Sequence, residues 1–256
     1  MPLAVLSAAW TVNVTGLGGT IANASDSTGT VPPASTTAPG TLPDGTPLPP
    51  PIGLNQPASV TGPTGDHISK DQAHQIVASA VSSGIPAAAL ASYQRAATVI
   101  DSADPTCHLD WQMLGAIGRV ESNHGRAEGN TLTAKGISTP GIFGPELNGR
   151  NGTSRVADTD SGQIDGDTRF DRAVGPMQFI PSTWSIVAVD ADGDGQRNPQ
   201  DINDAALATS VYLCSGSDDL STGQGQRSSI YRYNHSQKYV DLVLAIERAY
   251  LAGDYS

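Results

Sequence analysis

The sequence predicts a mostly α fold, a single globular domain behind a disordered Pro/Thr/Gly-rich tether, and three observations carry that reading. Eleven of the 18 prolines lie in the first 65 residues, where only Asp26 and Asp44 are charged. Beyond Asp66, apolar residues recur at the three- and four-residue spacing of amphipathic helices. Neither a βαβ rhythm nor a glycine-rich phosphate loop interrupts them.

Residues 25–65 lack the apolar periodicity that would offset the entropy of ordering them, so they read as a flexible, partly extended linker. Before them, the apolar run Pro2 to Trp10 followed by Ala22-Asn23-Ala24 fits residues 1–24 as a secretory signal without its basic leader. The same residues also fit an apolar tail of the linker. The remainder, 66–256, suits one domain with one sizeable core. The net charge of -11 leaves no basic stripe for nucleic acid and no polybasic membrane patch. No apolar run reaches the ~18 residues of a spanning helix. Export would join Cys107 and Cys214 in a disulfide; two separate buried thiols are the alternative.

Within the domain, Ser69-Lys70-Asp71-Gln72 opens a first helical pattern that ends at Ser83-Gly84. A second follows Pro86, with Leu90, Tyr93, Ala97 and Ile100 as its apolar face, and Asp104-Pro105 breaks it. The third runs from an Asp110 N-cap to Gly125. Asn130 to Ala173, rich in Gly, Asp and Pro, predicts a functional loop or a small irregular sheet. Helical pattern returns at Pro181, at Asn203 to Leu213 and at Lys238 to Leu251.

On a helical wheel Glu121 lies about 40° from Ile117 and about 20° from Leu114, on the apolar stripe of the third helix. A carboxylate there is partly desolvated, which suits a general acid working near neutral pH. A helix-end Glu paired with Arg119 or Arg126 is the plain alternative. The five histidines, His67, His74, His108, His124 and His235, show no zinc-ligand spacing. No Cys-His or Gly-x-Ser-x-Gly arrangement for an acyl-transfer nucleophile is present.

Glu121-Ser122 followed by His124-Gly125, then Ala173-Val174-Gly175-Pro176-Met177-Gln178-Phe179-Ile180-Pro181-Ser182-Thr183-Trp184, then Tyr231-Arg232-Tyr233-Asn234-His235-Ser236 resemble, in order, the three motifs of lysozyme-like lytic murein transglycosylases. The match is to the B type (SLT domain 2) in its secreted actinobacterial form, over roughly Ala87 to Tyr250. The resemblance implies an α+β lysozyme-like domain, a monomer of the cell envelope acting on peptidoglycan glycan strands. It implies one catalytic carboxyl, Glu121, serving as acid and then base to leave a 1,6-anhydromuramoyl end. Ser122, Gln178 and Asn234 would bind substrate, with Tyr233 beside the Glu121 carboxylate and Tyr231 as its competitor. Met177 and Phe179 fit the cleft and the core equally.

Asp190-Ala191-Asp192-Gly193-Asp194-Gly195-Gln196 through Asp201 has the 1, 3, 5, 6, 7, 12 spacing that wraps oxygen ligands around Ca2+. Asp190, Asp192, Asp194, Asp201 and the Gln196 carbonyl are its expected ligands, Asp201 standing where Glu is usual. A solvated acidic turn is the alternative. Asp158-Thr159-Asp160 with Asp165 and Asp167 lacks a complete ligand spacing and reads as a polar loop. Two rival functions remain: a hydrolytic muramidase, and a calcium-dependent wall-binding protein without activity.

Overall fold

The computed structural model describes residues 41–45, 71, 84–150 and 153–253. The signal-like residues 1–24, most of the linker and nearly all of the first expected helix lie outside the described residues. All described residues belong to one compact unit.

Six α-helices form the domain among the described residues: α1 (Ala87–Ala103), α2 (Trp111–Ser122), α3 (Pro181–Val187), α4 (Ile202–Cys214), α5 (Gly223–Tyr233) and α6 (Gln237–Leu251). Between α2 and α3 lies a small irregular sheet. Strands β1 (Thr131–Leu132) and β2 (Ser138–Thr139) pair antiparallel, Thr131 opposite Thr139, and isolated bridges continue the pairing through Phe143, Asn148, Ala157 and Val174. The mostly α expectation and the irregular Asn130 to Ala173 segment are both met.

Helix α4 is the centre: every one of its residues is buried, as expected of a helix that other elements cover on all sides. Such a helix must satisfy its polar side chains internally. Asn203 does so by accepting from the Ser92 hydroxyl of α1 at 2.7 Å and donating to the Lys135 carbonyl at 3.0 Å. Its neighbour Asp201 caps the helix, accepting the Asn203 N–H at 2.8 Å.

Helix α2 packs against α1 and α6. Gly118 makes the first contact possible, because a Cβ there would stand 2.0 Å from the Tyr93 hydroxyl of α1. The expected Gly125 end of α2 is corrected by three residues: the helix stops at Ser122, and Asn123, His124 and Gly125 all take left-handed backbone conformations. The face of α1 is also rotated from the expected one. Ala89, Ser92, Tyr93, Ala96, Val99 and Ile100 are buried, while Leu90 and Ala97 are only half-buried.

Helix α5 has no counterpart among the expected helices, since Gly223-Gln224-Gly225-Gln226 has no apolar periodicity. Its Gly225 is required by a close approach to the Asp219 carbonyl, 2.0 Å from where a Cβ would lie, and Thr222 caps the helix. The linker expectation is likewise corrected at 41–45. There Leu42 is buried in the core, a turn closes through Gly45 N–H to Leu42 O at 2.9 Å, and Asp44 pairs with Arg197 at 2.7 Å.

Cys107 and Cys214 form a disulfide across 107 residues, tying the α1–α2 connection to the end of α4. Closing a loop of that length restricts the unfolded chain, so Cys107→Ser/Cys214→Ser should lose about 4 kcal/mol in denaturant unfolding.

Candidate functional site

The site begins at the end of α2. Glu121 and Ser122 are the last buried residues of the helix, at 8% and 2% exposure, so the wheel prediction of a carboxylate on the apolar stripe is met. The Ser122 hydroxyl donates to the Pro176 carbonyl at 2.6 Å and accepts the Gly125 N–H at 2.7 Å. One side chain thereby closes the helix end and pins a second chain segment to it.

That segment is a tight turn. Val174 and Phe179 exchange N–H···O bonds of 2.8 and 3.1 Å around Gly175-Pro176-Met177-Gln178. Gly175, at φ +76°, passes the backbone of Pro199 so closely that a Cβ would lie 1.7 Å from its carbonyl oxygen. Gln178 also has positive φ, and its side-chain amide donates to the Gly175 carbonyl at 2.8 Å. The equal standing of Met177 and Phe179 between cleft and core is settled by burial. Both are 0% exposed in the main core, Phe179 against Trp184 and edge-on to Tyr233, so neither presents a face to a ligand.

The carboxyl of Glu121 meets α6. Tyr239 donates its hydroxyl to Glu121 Oε1 at 2.6 Å, a short bond of the kind a charged acceptor makes. The resemblance places Tyr233 beside the same carboxylate, and the charge of Glu121 does act on its hydroxyl, although its own hydrogen bond goes elsewhere. Tyr233 is fully buried and donates to the Met177 carbonyl at 2.7 Å, holding the 175–178 turn from below. Burial first, and the charge of Glu121 next, push the hydroxyls of both Tyr233 and Tyr239 well above the ordinary tyrosine range, so both remain donors. Tyr231 is half out in solvent, stacked on His235 with ring centroids 5.3 Å apart. Asn234 caps α5 and is 5% exposed.

Three residues after Glu121 stands a group the sequence offered only as a motif letter. His124 is 0% exposed, its Nδ1 3.1 Å from the Tyr93 hydroxyl and its Nε2 3.4 Å from that of Tyr250. Burial, with Arg119 and Arg126 nearby, pushes the imidazole well below its ordinary pKa and keeps it neutral. A neutral ring between two phenols fixes the left-handed turn that ends α2.

The acidic loop folds back on its own backbone. Asp190 accepts the N–H groups of Gly193 at 2.8 Å and Gly195 at 2.9 Å, Asp192 that of Asp194 at 3.2 Å, and Asp194 that of Gln196 at 2.8 Å. Carboxylate oxygens of Asp190, Asp192 and Asp204 lie within 4.8 Å of one another. Asp201, expected at the last ligand position, is instead the α4 cap. Its place beside Asp190 and Asp192 is taken by Asp204, one helical turn further on, which also accepts from Ala191 N–H and Asn198 N–H at 2.8 Å. Burial outweighs these donors and pushes Asp204 up to about 7 and Asp201 to about 6, with Asp192 adding to both. A second trio, Asp158, Asp160 and Asp171, has the same oxygen spacing. Buried Asp171 is the member missing from the sequence spacing, and it accepts Thr159 N–H at 2.8 Å and Thr159 Oγ1–H at 2.7 Å.

Residues 64–227 match the family model of the transglycosylase SLT domain, and the chain belongs to that family. No curated protein matches the sequence significantly. Two solved structures are similar, both of the Escherichia coli lytic transglycosylase SLT35. One is in complex with bulgecin A, at 15% identity and TM-score 0.42, covering 74% of this chain and 76% of that one. The other is in complex with calcium, at 16% identity and TM-score 0.43, covering 74% and 77%. Among the described residues no helix is long and apolar enough to cross a membrane.

The acidic loop generates a pH prediction. With folded pKa values raised above the unfolded value near 4, Asp201 and Asp204 bind more protons in the folded chain between about pH 4 and 7. Their contribution to stability therefore falls as pH rises through that window. In metal-free buffer Asp204→Asn should gain melting temperature relative to the unchanged chain as pH is raised from 4 to 7.

Proposed function

We propose that the chain is a secreted B-type lytic transglycosylase of the cell envelope. It cleaves the β-1,4 bond between N-acetylmuramic acid and N-acetylglucosamine in peptidoglycan. The observation that carries this reading is the 2.6 Å bond from Tyr239 to a nearly buried Glu121 at the end of a helix, in a member of the transglycosylase SLT domain family.

Glycosidases ordinarily flank the scissile bond with two carboxyls, one protonating the leaving oxygen and one serving as base or nucleophile. Here one carboxyl does both. With the Tyr239 hydroxyl bound at Oε1, the protonated Glu121 carboxyl delivers its proton to the glycosidic oxygen as the C1–O bond breaks. The resulting carboxylate, steadied by the Tyr239 hydroxyl, then takes the proton of the muramoyl C6 hydroxyl as that oxygen bonds to C1. The acid is regenerated, no water is consumed, and the product ends in a 1,6-anhydro ring. Ser122 and Tyr233 act at one remove, fixing the 175–178 turn by bonds to the Pro176 and Met177 carbonyls. Gln178 and Asn234 supply amide groups for acetamido and hydroxyl recognition.

The Asp190 loop fits a hard divalent cation by its chemistry. Its side-chain ligands are all carboxylate oxygens, its glycines stand at the turns, and Asp190, Asp192 and Asp204 bring carboxylate oxygens within 4.8 Å of one another. Calcium would be held by Asp190, Asp192, Asp194 and the Gln196 carbonyl, with Asp204 in place of Asp201. It supplies rigidity to the loop and no step of the reaction.

Glu121→Gln should abolish release of anhydromuropeptides from sacculi, read by mass spectrometry, with the melting temperature unchanged within about 2 °C, as for a substitution of similar volume. Products heavier by one water would instead identify a muramidase, and binding without any release a wall-binding protein. Tyr239→Phe should lower kcat about 10- to 100-fold with KM little changed, since the bond it removes is made to the reacting carboxyl. Millimolar calcium should raise the melting temperature of the unchanged chain and leave that of Asp204→Asn where it is; no shift in the unchanged chain withdraws the cation.

A further inference from the structure

Residues 41–45 make a set of contacts that neither a free linker nor the catalytic reading explains. Leu42 is buried in the main core, alone among the apolar residues of its proline-rich stretch in the described part of the chain. A turn closes directly after it, from the Gly45 N–H to the Leu42 carbonyl at 2.9 Å. Pro43 takes the second position of that turn, where its fixed φ is favoured. Asp44 takes the third, and its carboxylate accepts from the Arg197 guanidinium at 2.7 Å. An apolar anchor, a turn and an ion pair follow one another in three residues.

Arg197 belongs to the acidic loop. It lies within Asp190 to Asp201, and the N–H of the next residue, Asn198, is held by Asp204 at 2.8 Å. The other arginine at this loop, Arg95, is spent on the Ala191 carbonyl at 2.9 Å and on Asn203 Oδ1 at 3.2 Å. Arg197 is exposed, and among the described residues its ion pair is made with Asp44 and with none of the loop aspartates.

The charges around this pair give its formation a direction. Asp190, Asp192, Asp194, Asp201 and Asp204 attract the Arg197 guanidinium inward and repel a further carboxylate, so a cation-free loop opposes the pair on both counts. A divalent cation among the aspartates reverses both effects. It repels the guanidinium outward and offsets the negative field that Asp44 meets. By linkage, a segment that holds Arg197 away from the loop must favour the cation by the same factor.

We propose that Leu42, Pro43 and Asp44 form a strap by which the proline-rich segment docks on the Asp190 to Asp201 loop, and that its docking is coupled to the binding of a divalent cation there. The proposal rests on the reading of the loop as a cation site and is independent of the catalytic one. Its consequence is a cation-dependent grip of the domain on the residues that precede it.

The test uses the full chain, with calcium affinity read by calorimetry and docking read by hydrogen exchange of the Gly45 amide in nuclear magnetic resonance. Saturating calcium should slow that exchange about threefold, the range of one exposed ion pair, and Asp44→Asn should weaken calcium binding by about the same factor. In an Arg197→Gln background both effects should vanish. Leu42→Asp adds a negative charge, which by simple attraction would tighten calcium binding; release of the strap should weaken it instead. The melting temperature in calcium-free buffer shows whether that variant still folds, and Asp44→Asn decides the matter where it does not. Calcium heat with unchanged exchange at Gly45, an Asp44→Asn effect of equal size with and without Arg197, or tighter binding by a folded Leu42→Asp overturns the strap and leaves the cation site standing. No calcium heat at all defeats the cation site and the coupling together.

Discussion

The structure turns on the burial of one carboxyl at the wrong end of a helix. The C-terminal end of a helix is the negative end of its dipole, where an anion is least favoured, and Glu121 stands there with 8% of its surface exposed. Only donors brought from elsewhere make that position tenable. Tyr239 is one, and it requires α6 to run alongside α2. The helix also stops one residue after Glu121. Asn123, His124 and Gly125 end it by taking three left-handed conformations in succession, a costly arrangement for two non-glycine residues. It persists because His124 is locked between Tyr93 and Tyr250 and because Ser122 holds the Gly125 N–H.

How much of this was legible depends on how local its causes are. The place of Glu121 on the apolar stripe follows from helical periodicity alone, and so do most helix positions. Its partner does not. Tyr239 is 118 residues from Glu121 in sequence and lies just outside the quoted motif, whereas Tyr233 sits inside it beside Asn234 and drew the assignment. Periodicity places Tyr239 in the expected Lys238 to Leu251 helix and says nothing of Tyr233, and only tertiary packing decides which hydroxyl bonds the carboxyl. Helix α5 escaped because its first turn is glycine and glutamine, with Gly225 present for a close backbone approach that no pattern announces. Leu42 escaped for the opposite reason: a single apolar residue in a proline-rich stretch gives no period to read, and yet it is buried.

The acidic loop shows a sharper form of the same problem. Asp201 satisfies a ligand spacing and a helix-cap signal at once, and the two roles compete for one carboxylate. Because α4 starts at Ile202, the cap wins, and Asp201 turns toward Asn203. The next acid on the inner side of the helix is Asp204, which accepts from both ends of the loop, at Ala191 and at Asn198. A spacing rule written for a loop cannot see that a helix has claimed its last member.

That substitution links the loop to the site without any contact with the reacting carboxyl. The stretch from Asn198 to Asp201, held by Asp204, runs directly behind the 175–178 turn, where the Pro199 carbonyl leaves room only for Gly175. In the same stretch the Gln200 side chain clamps Ile142 in both directions, accepting its N–H at 2.9 Å and donating to its carbonyl at 2.8 Å. The Gln200 carbonyl also receives Ser138 N–H of β2 at 2.9 Å. One short segment thus braces the sheet, the turn and the start of α4. Loosening the aspartates at 190, 192 and 204 by mutual repulsion would be felt at Gly175, then at Pro176, and so at Ser122. The path is continuous through backbone hydrogen bonds and steric contact. A cation held by these aspartates would therefore steady the stretch behind the turn that Ser122 pins to the end of α2.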